Sequence, residues 1–179
     1  MLRRVMACSL FIVLATGCGA SGADEPTGES SRFILSQDYE LPVVEREEPR
    51  LPASVTDASG TTVTVTDASR IVVLNEAIAE IVVSLGLRDN IIGRDATTTL
   101  EALQAVDEVS NGHDVSAESV LSLRPTVVIG DTRTGPPEAL EQLRGAGVPV
   151  VIAPEVWTLS DLPGRVTMLA VVLGVPRAG

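Results

Sequence analysis

The residues able to do chemistry are few and unevenly placed. His113 is the sole histidine, and it lies in the polar run Ser110-Asn111-Gly112-His113-Asp114-Val115. An imidazole that stays neutral near pH 7 coordinates iron well, haem iron included. A lone histidine is more often a surface residue or a satisfied core one than a ligand. Both cysteines, Cys8 and Cys18, fall in the first eighteen residues. The remainder has no thiol, which excludes disulfides and cysteine-built metal sites there. No G-x-G-x-x-G follows a strand, and there is no Walker A sequence and no G-x-S-x-G elbow. The carboxylates lie mostly in the N-terminal segment or on helix faces, where solvated surface is their ordinary role. These absences favour a binding protein over an enzyme.

The elements that must position His113 follow from periodicity. Val55 to Val65 reads as a hairpin turning at Asp57-Ala58-Ser59-Gly60. Arg70 to Leu74 is a short apolar strand, and Asn75 caps a helix whose buried face is Ile78, Ile81, Val82 and Leu85. Asn90 to Gly93 is a second strand. Ser116 caps a short helix stopped by Pro125, and Thr126 to Ile129 is a buried strand. Pro136-Pro137 opens a helix through Leu140 and Leu143, Val148 to Ala153 is a further strand, and Ser160 caps a last helix ending at Gly174. Short apolar strands alternating with amphipathic helices predict an α/β fold: a parallel sheet with helices on both faces, preceded by a short β-hairpin. Ligands of such sheets sit at the carboxyl ends of the strands. The loops there are 94–99, 110–115, 130–135 and 154–158.

Composition narrows the setting. The net charge is −11, and all thirteen basic residues are arginine. That balance argues against a nucleic-acid partner, which requires clustered cations. Arg3 and Arg4 precede an apolar run from Val5 to Thr16, too short to span a bilayer and suited to a signal peptide. The run ends in Leu14-Ala15-Thr16-Gly17-Cys18, which resembles the lipobox of bacterial lipoproteins. The resemblance implies cleavage of residues 1–17 and lipidation of Cys18, with the chain exported and anchored on the outer face of the cell membrane. Residues 18–52 are rich in Ser, Gly, Glu and Pro and read as a flexible tether.

From residue 55 onward the order of features resembles the N-terminal lobe of class III substrate-binding proteins of ABC importers, a Rossmann-like lobe. The matching stretches are Arg70-Ile71-Val72-Val73-Leu74, Leu85-Gly86-Leu87, Asn90-Ile91-Ile92-Gly93, Ser116 to Pro125, Thr126-Val127-Val128-Ile129 and Gly147-Val148-Pro149-Val150-Val151. Asn111-Gly112-His113 and Gly130 to Pro137 are similar to the haem-binding branch found in actinobacteria. That likeness implies haem as the transported ligand, His113 as an axial iron ligand, and Asn111, Gly112 and Thr132 facing it. It also implies Arg94 and Arg133 beside the propionates, because guanidinium forks suit carboxylates. Glu118 matches the position at which an N-lobe glutamate pairs with arginines of the permease.

The resemblance divides the chain into the N-terminal lobe, 53–165, and the start of a truncated interlobe helix, 166–179. The second lobe, with the tyrosine that ligates iron from the opposite side in the haem branch, is expected to be absent: Tyr39 is the only tyrosine. Capture and delivery of haem to a permease is the expected function. A ferric siderophore or cobalamin is the alternative ligand within the family. A Rossmann-like enzyme domain and a ligand-free surface lipoprotein are the rivals outside it.

Overall fold

The computed structural model describes residues 47–112 and 114–179. The signal peptide, Cys18, Tyr39, most of the tether and His113 lie outside the described residues.

A two-stranded antiparallel hairpin comes first, β1 (Ala53–Thr56) and β2 (Thr62–Val65). The main sheet follows with β3 (Ile71–Val73), β4 (Ile91–Asp95), β5 (Asp107–Asn111), β6 (Asp114–Val115), β7 (Val127–Asp131) and β8 (Val150–Ala153). Its spatial order is β6-β5-β4-β3-β7-β8, and every pairing is parallel except β5 with β6. Three helices connect strands, α1 (Glu76–Ser84), α2 (Ala117–Ser122) and α3 (Pro137–Gly145), and α4 (Leu162–Val172) follows β8.

Alternation along the central strands sends side chains to two separate cores. Ile71, Val73, Ile129 and Val151 pack with α1 and α4, through Ile78, Val82 and Leu169. Val72, Val128, Val150 and Ile152 pack with α2 and α3, through Val120, Leu140 and Leu143. Both faces are therefore covered, as the unbroken apolar strands predict. Burying each of the larger aliphatic side chains contributes roughly 1.5–3 kcal/mol.

Three differences from the sequence reading stand out. β5 is a strand that apolar periodicity did not show, because Asp107-Glu108-Val109-Ser110-Asn111 buries only Val109 and Ser110. The N-cap position of α4 is Asp161, one residue later than Ser160, and its carboxylate turns back to Trp157 and Thr158 instead of capping the helix. A boundary at residue 166 would fall inside α4, which begins at Leu162, ends at Val172 and shares a core with α1.

The hairpin is fixed to the sheet by one buried side chain. Asp57 Oδ1 accepts from the amides of Ser59 (2.9 Å) and Thr61 (3.2 Å), closing the turn. Its Oδ2 accepts from the amide of Ile152 at 3.0 Å, and the Ala58 amide donates to the Ile152 carbonyl at 2.9 Å.

Candidate functional site

The strand order reverses between β3 and β7: the chain runs outward through β4 and β5 on one side and through β7 and β8 on the other. The crevice outside the carboxyl ends at such a reversal is where open α/β sheets bind ligands. Two side chains meet there. Asn75, just beyond β3, donates through Nδ2 to Asp131 Oδ2 at 3.1 Å, while its Oδ1 accepts from the Ile78 amide at 3.3 Å and caps α1. Asp131, the last residue of β7, is 1% exposed.

Asp131 organises the loop that follows it. Its carboxylate accepts from the Arg133 amide at 3.0 Å and from Arg133 Nη2 at 3.1 Å, and its own amide donates to Thr134 Oγ1 at 2.9 Å. The turn is tight enough that a Cβ on Gly130 would stand 2.6 Å from Thr134 Oγ1. Arg133 Nε lies 3.6 Å from Glu155 Oε1, and the Thr132 hydroxyl donates to the same oxygen. Thr132 and Arg133, both expected at the site, are thus adjacent, exposed and joined to the β8–α4 loop. The hydrogen bond to Asp131, together with the charges of Asp131 and Glu155, holds the Arg133 guanidinium above its ordinary pKa.

Asn111 and Gly112 sit on the hairpin between β5 and β6. Ser110 pairs with Val115 and Asn111 with Asp114, so only positions 112 and 113 separate the last paired residues. Gly112 adopts φ 66°, the left-handed conformation that such short turns require. The base of the hairpin is held on both sides. The Ser110 hydroxyl donates to the buried Asp95, and the Ala96 amide donates to the Ser110 carbonyl at 3.3 Å. Opposite, the Val115 amide donates to the Gly135 carbonyl at 2.7 Å, two residues from Arg133. The hairpin leading to position 113 and the Arg133 loop therefore share a joint.

Arg94 has a different setting from the one expected for it. It is buried, and its Nε donates to the Leu103 carbonyl at 3.1 Å. Its Nη1 donates to the carbonyls of Asp95 (3.2 Å) and Thr98 (3.3 Å) and lies 3.5 Å from Glu108 Oε2. These donors hold the 95–104 segment together. Glu118 is exposed in the first turn of α2, away from any ion pair among the described residues.

Sequence reasoning missed Asn75, Asp95, Asp131 and Glu155 as parts of this site. A usable signal was present for two of them. Asp95 has Thr97 two residues on and Asp131 has Thr134 three residues on, the spacing of side chains that close local turns around a carboxylate.

The β8–α4 loop carries Trp157, the only tryptophan of the chain. Asp161 Oδ2 fixes it by accepting from the amides of Thr158 (2.8 Å) and Trp157 (3.1 Å) and from Thr158 Oγ1 (2.9 Å). The Thr158 amide foremost holds the Asp161 carboxyl below its ordinary pKa. A depressed carboxyl stabilises above its unfolded value and loses that stabilisation as pH falls through the folded value. Trp157 fluorescence anisotropy is therefore expected to stay constant from pH 7 down to about 4, the unfolded value, and to fall below it. Asp161→Ala is expected to show the low anisotropy already at pH 7; an anisotropy equal to wild type there would remove Asp161 from this role.

Among the described residues no helix is long and apolar enough to cross a membrane, and no cluster of three or more His, Cys, Asp or Glu side chains forms a metal site. The chain is similar to the heme binding protein HmuT, with a TM-score of 0.73 and 38% identity over 77% of this chain and 46% of that one. It is similar to the periplasmic heme-binding protein RhuT of Roseiflexus sp. RS-1 in apo form, at TM-score 0.59 and 38% identity over 63% and 43% of the two chains. It is also 28% identical over 122 residues to the uncharacterized ABC transporter substrate-binding lipoprotein YvrC of Bacillus subtilis (strain 168), covering 66% of this chain and 38% of the other. The chain thus spans less than half the length of these relatives. The family pattern described as periplasmic binding protein matches residues 71–179. With that match lying over the sheet and loops just described, the chain belongs to the periplasmic binding protein family.

Proposed function

We propose that the chain captures haem in the crevice at the β3–β7 reversal and delivers it to an ABC permease, held at the outer face of the membrane by a lipid on Cys18. The observation that carries this reading is the 38% identity to the heme binding protein HmuT across 77% of the chain. The local chemistry agrees with it. In this reading His113 ligates the iron from the short β5–β6 hairpin, with Asn111 and Gly112 beside the ring. Arg133, exposed and held cationic next to Thr132, faces a propionate. Arg94 serves from beneath, keeping the 95–104 loop in place, and Glu118 on α2 pairs with arginines of the permease. No bond is made or broken in the cargo beyond the iron–imidazole coordination.

Hemin titration of the 179-residue chain tests the proposal. Wild type is expected to shift the Soret band, and His113→Ala to weaken hemin binding and to change the spectrum of what remains bound. Identical spectra for the two proteins, or a response to a ferric siderophore or cobalamin with none to hemin, would reject haem as the ligand.

A further inference from the structure

Trp157 and Leu159 are 85% and 89% exposed, the two most exposed large apolar side chains among the described residues. They lie on the β8–α4 loop, at the same end of the sheet as the hairpin 111–114 and the Arg133 loop. The attachment is direct. Glu155, two residues before Trp157, accepts from Thr132 and lies 3.6 Å from Arg133, and Asp161 pins the Trp157 and Thr158 amides from the other side. A fixed backbone thus presents an indole and a leucine to solvent on the loop that Glu155 ties to the exposed Arg133 guanidinium. Two large apolar side chains two residues apart, both bare on a loop held from both ends, offer an apolar surface to a ligand. The combination of an apolar face and a cation matches a planar amphiphile with carboxylates along one edge.

We propose that Trp157, supported by Leu159, is the apolar contact for the face of the tetrapyrrole ring and sets a preference for porphyrins over hydrophilic iron chelates. This rests on the haem reading above. The indole supplies stacking and buried area independent of the metal, whereas His113 acts only through iron.

The two contributions separate experimentally. The 179-residue chain is titrated with hemin and with metal-free protoporphyrin IX, as wild type, Trp157→Ala, Trp157→Phe and His113→Ala. Trp157→Ala is expected to weaken both ligands about tenfold. Trp157→Phe is expected to restore most of the loss, and His113→Ala to weaken hemin alone. Trp157 is exposed, so the melting temperature of its variants is expected to match wild type and to show the fold intact. Equal affinities of Trp157→Ala and wild type for both porphyrins would overturn the ring contact while leaving haem binding standing. Wild type that binds neither ligand would overturn the haem reading and this inference with it. A dimer in sedimentation that Trp157→Ala dissolves, with porphyrin affinity unchanged, would assign the patch to a second copy and equally overturn the proposal.

Discussion

Asp131→Ala is expected to lower the stability of the folded chain by roughly 2–3 kcal/mol and to release Arg133 from its loop. The carboxylate is buried and receives donors from Asn75, the Arg133 amide and the Arg133 guanidinium. Removing it strands the Asn75 amide and the Arg133 N–H, and each unsatisfied buried donor costs about 1–3 kcal/mol, less where water reaches it. Arg133 itself is mostly solvent-exposed, so its charge is not left buried and the larger penalty of a broken buried pair does not apply. Asp131→Asn keeps one acceptor and is expected to fall between the two. Urea denaturation at constant slope reads the difference directly. A loss below about 0.5 kcal/mol would mean that the network contributes little, since ordinary surface substitutions span that range.

Gly174→Ala is expected to cost roughly 2–4 kcal/mol, and the comparison with Gly60→Ala shows why. Both glycines adopt φ near +80°, 78° at Gly174 and 80° at Gly60. That conformation alone costs an L-residue about 1–2 kcal/mol. Around Gly60 nothing lies within 4 Å of an added Cβ, so the conformational term stands alone. At Gly174 the new carbon would meet the backbone nitrogen of Arg50 at 2.8 Å and its carbonyl oxygen at 3.0 Å. Backbone cannot rotate aside as a side chain can. The Arg50 segment must lift away, losing the 2.8 Å hydrogen bond from the Arg50 amide to the Gly174 carbonyl. Thermal or denaturant midpoints of the two variants isolate that contact. Equal costs at the two positions would show that the approach of residue 50 contributes nothing.

The strands with apolar residues on both sides were legible in the sequence, because burial on two faces leaves continuous runs such as Ile71-Val72-Val73 and Val127-Val128-Ile129. β5 was not, because an outlying strand of mixed polarity carries neither a run nor a clean alternation. The strand–helix alternation showed which chain segments lie at the carboxyl ends of the strands, and Thr132 and Arg133 lie together in one of them, joined to Glu155. The setting of Arg94 was not legible, because sequence shows an arginine near the end of a strand but not which carbonyls surround it. Here Leu103, nine residues away, folds back to take the guanidinium. Asn75 was read as a helix cap and is one; that its other atom reaches Asp131 depends on β3 and β7 being neighbours. Pairing between strands more than fifty residues apart is a property of topology that local pattern does not carry.

The attachment of the first hairpin to β8 has a consequence for how this protein behaves in a crowd of its own copies. β8 is the last strand on its side, and its outward-facing amides and carbonyls would template another strand. At Ile152 both groups are already taken, the amide by Asp57 and the carbonyl by Ala58. A turn, which cannot propagate a sheet, occupies the position where aggregation would begin. Asp57 and Ala58 therefore close the outer edge of β8 at Ile152, where a further strand would otherwise add.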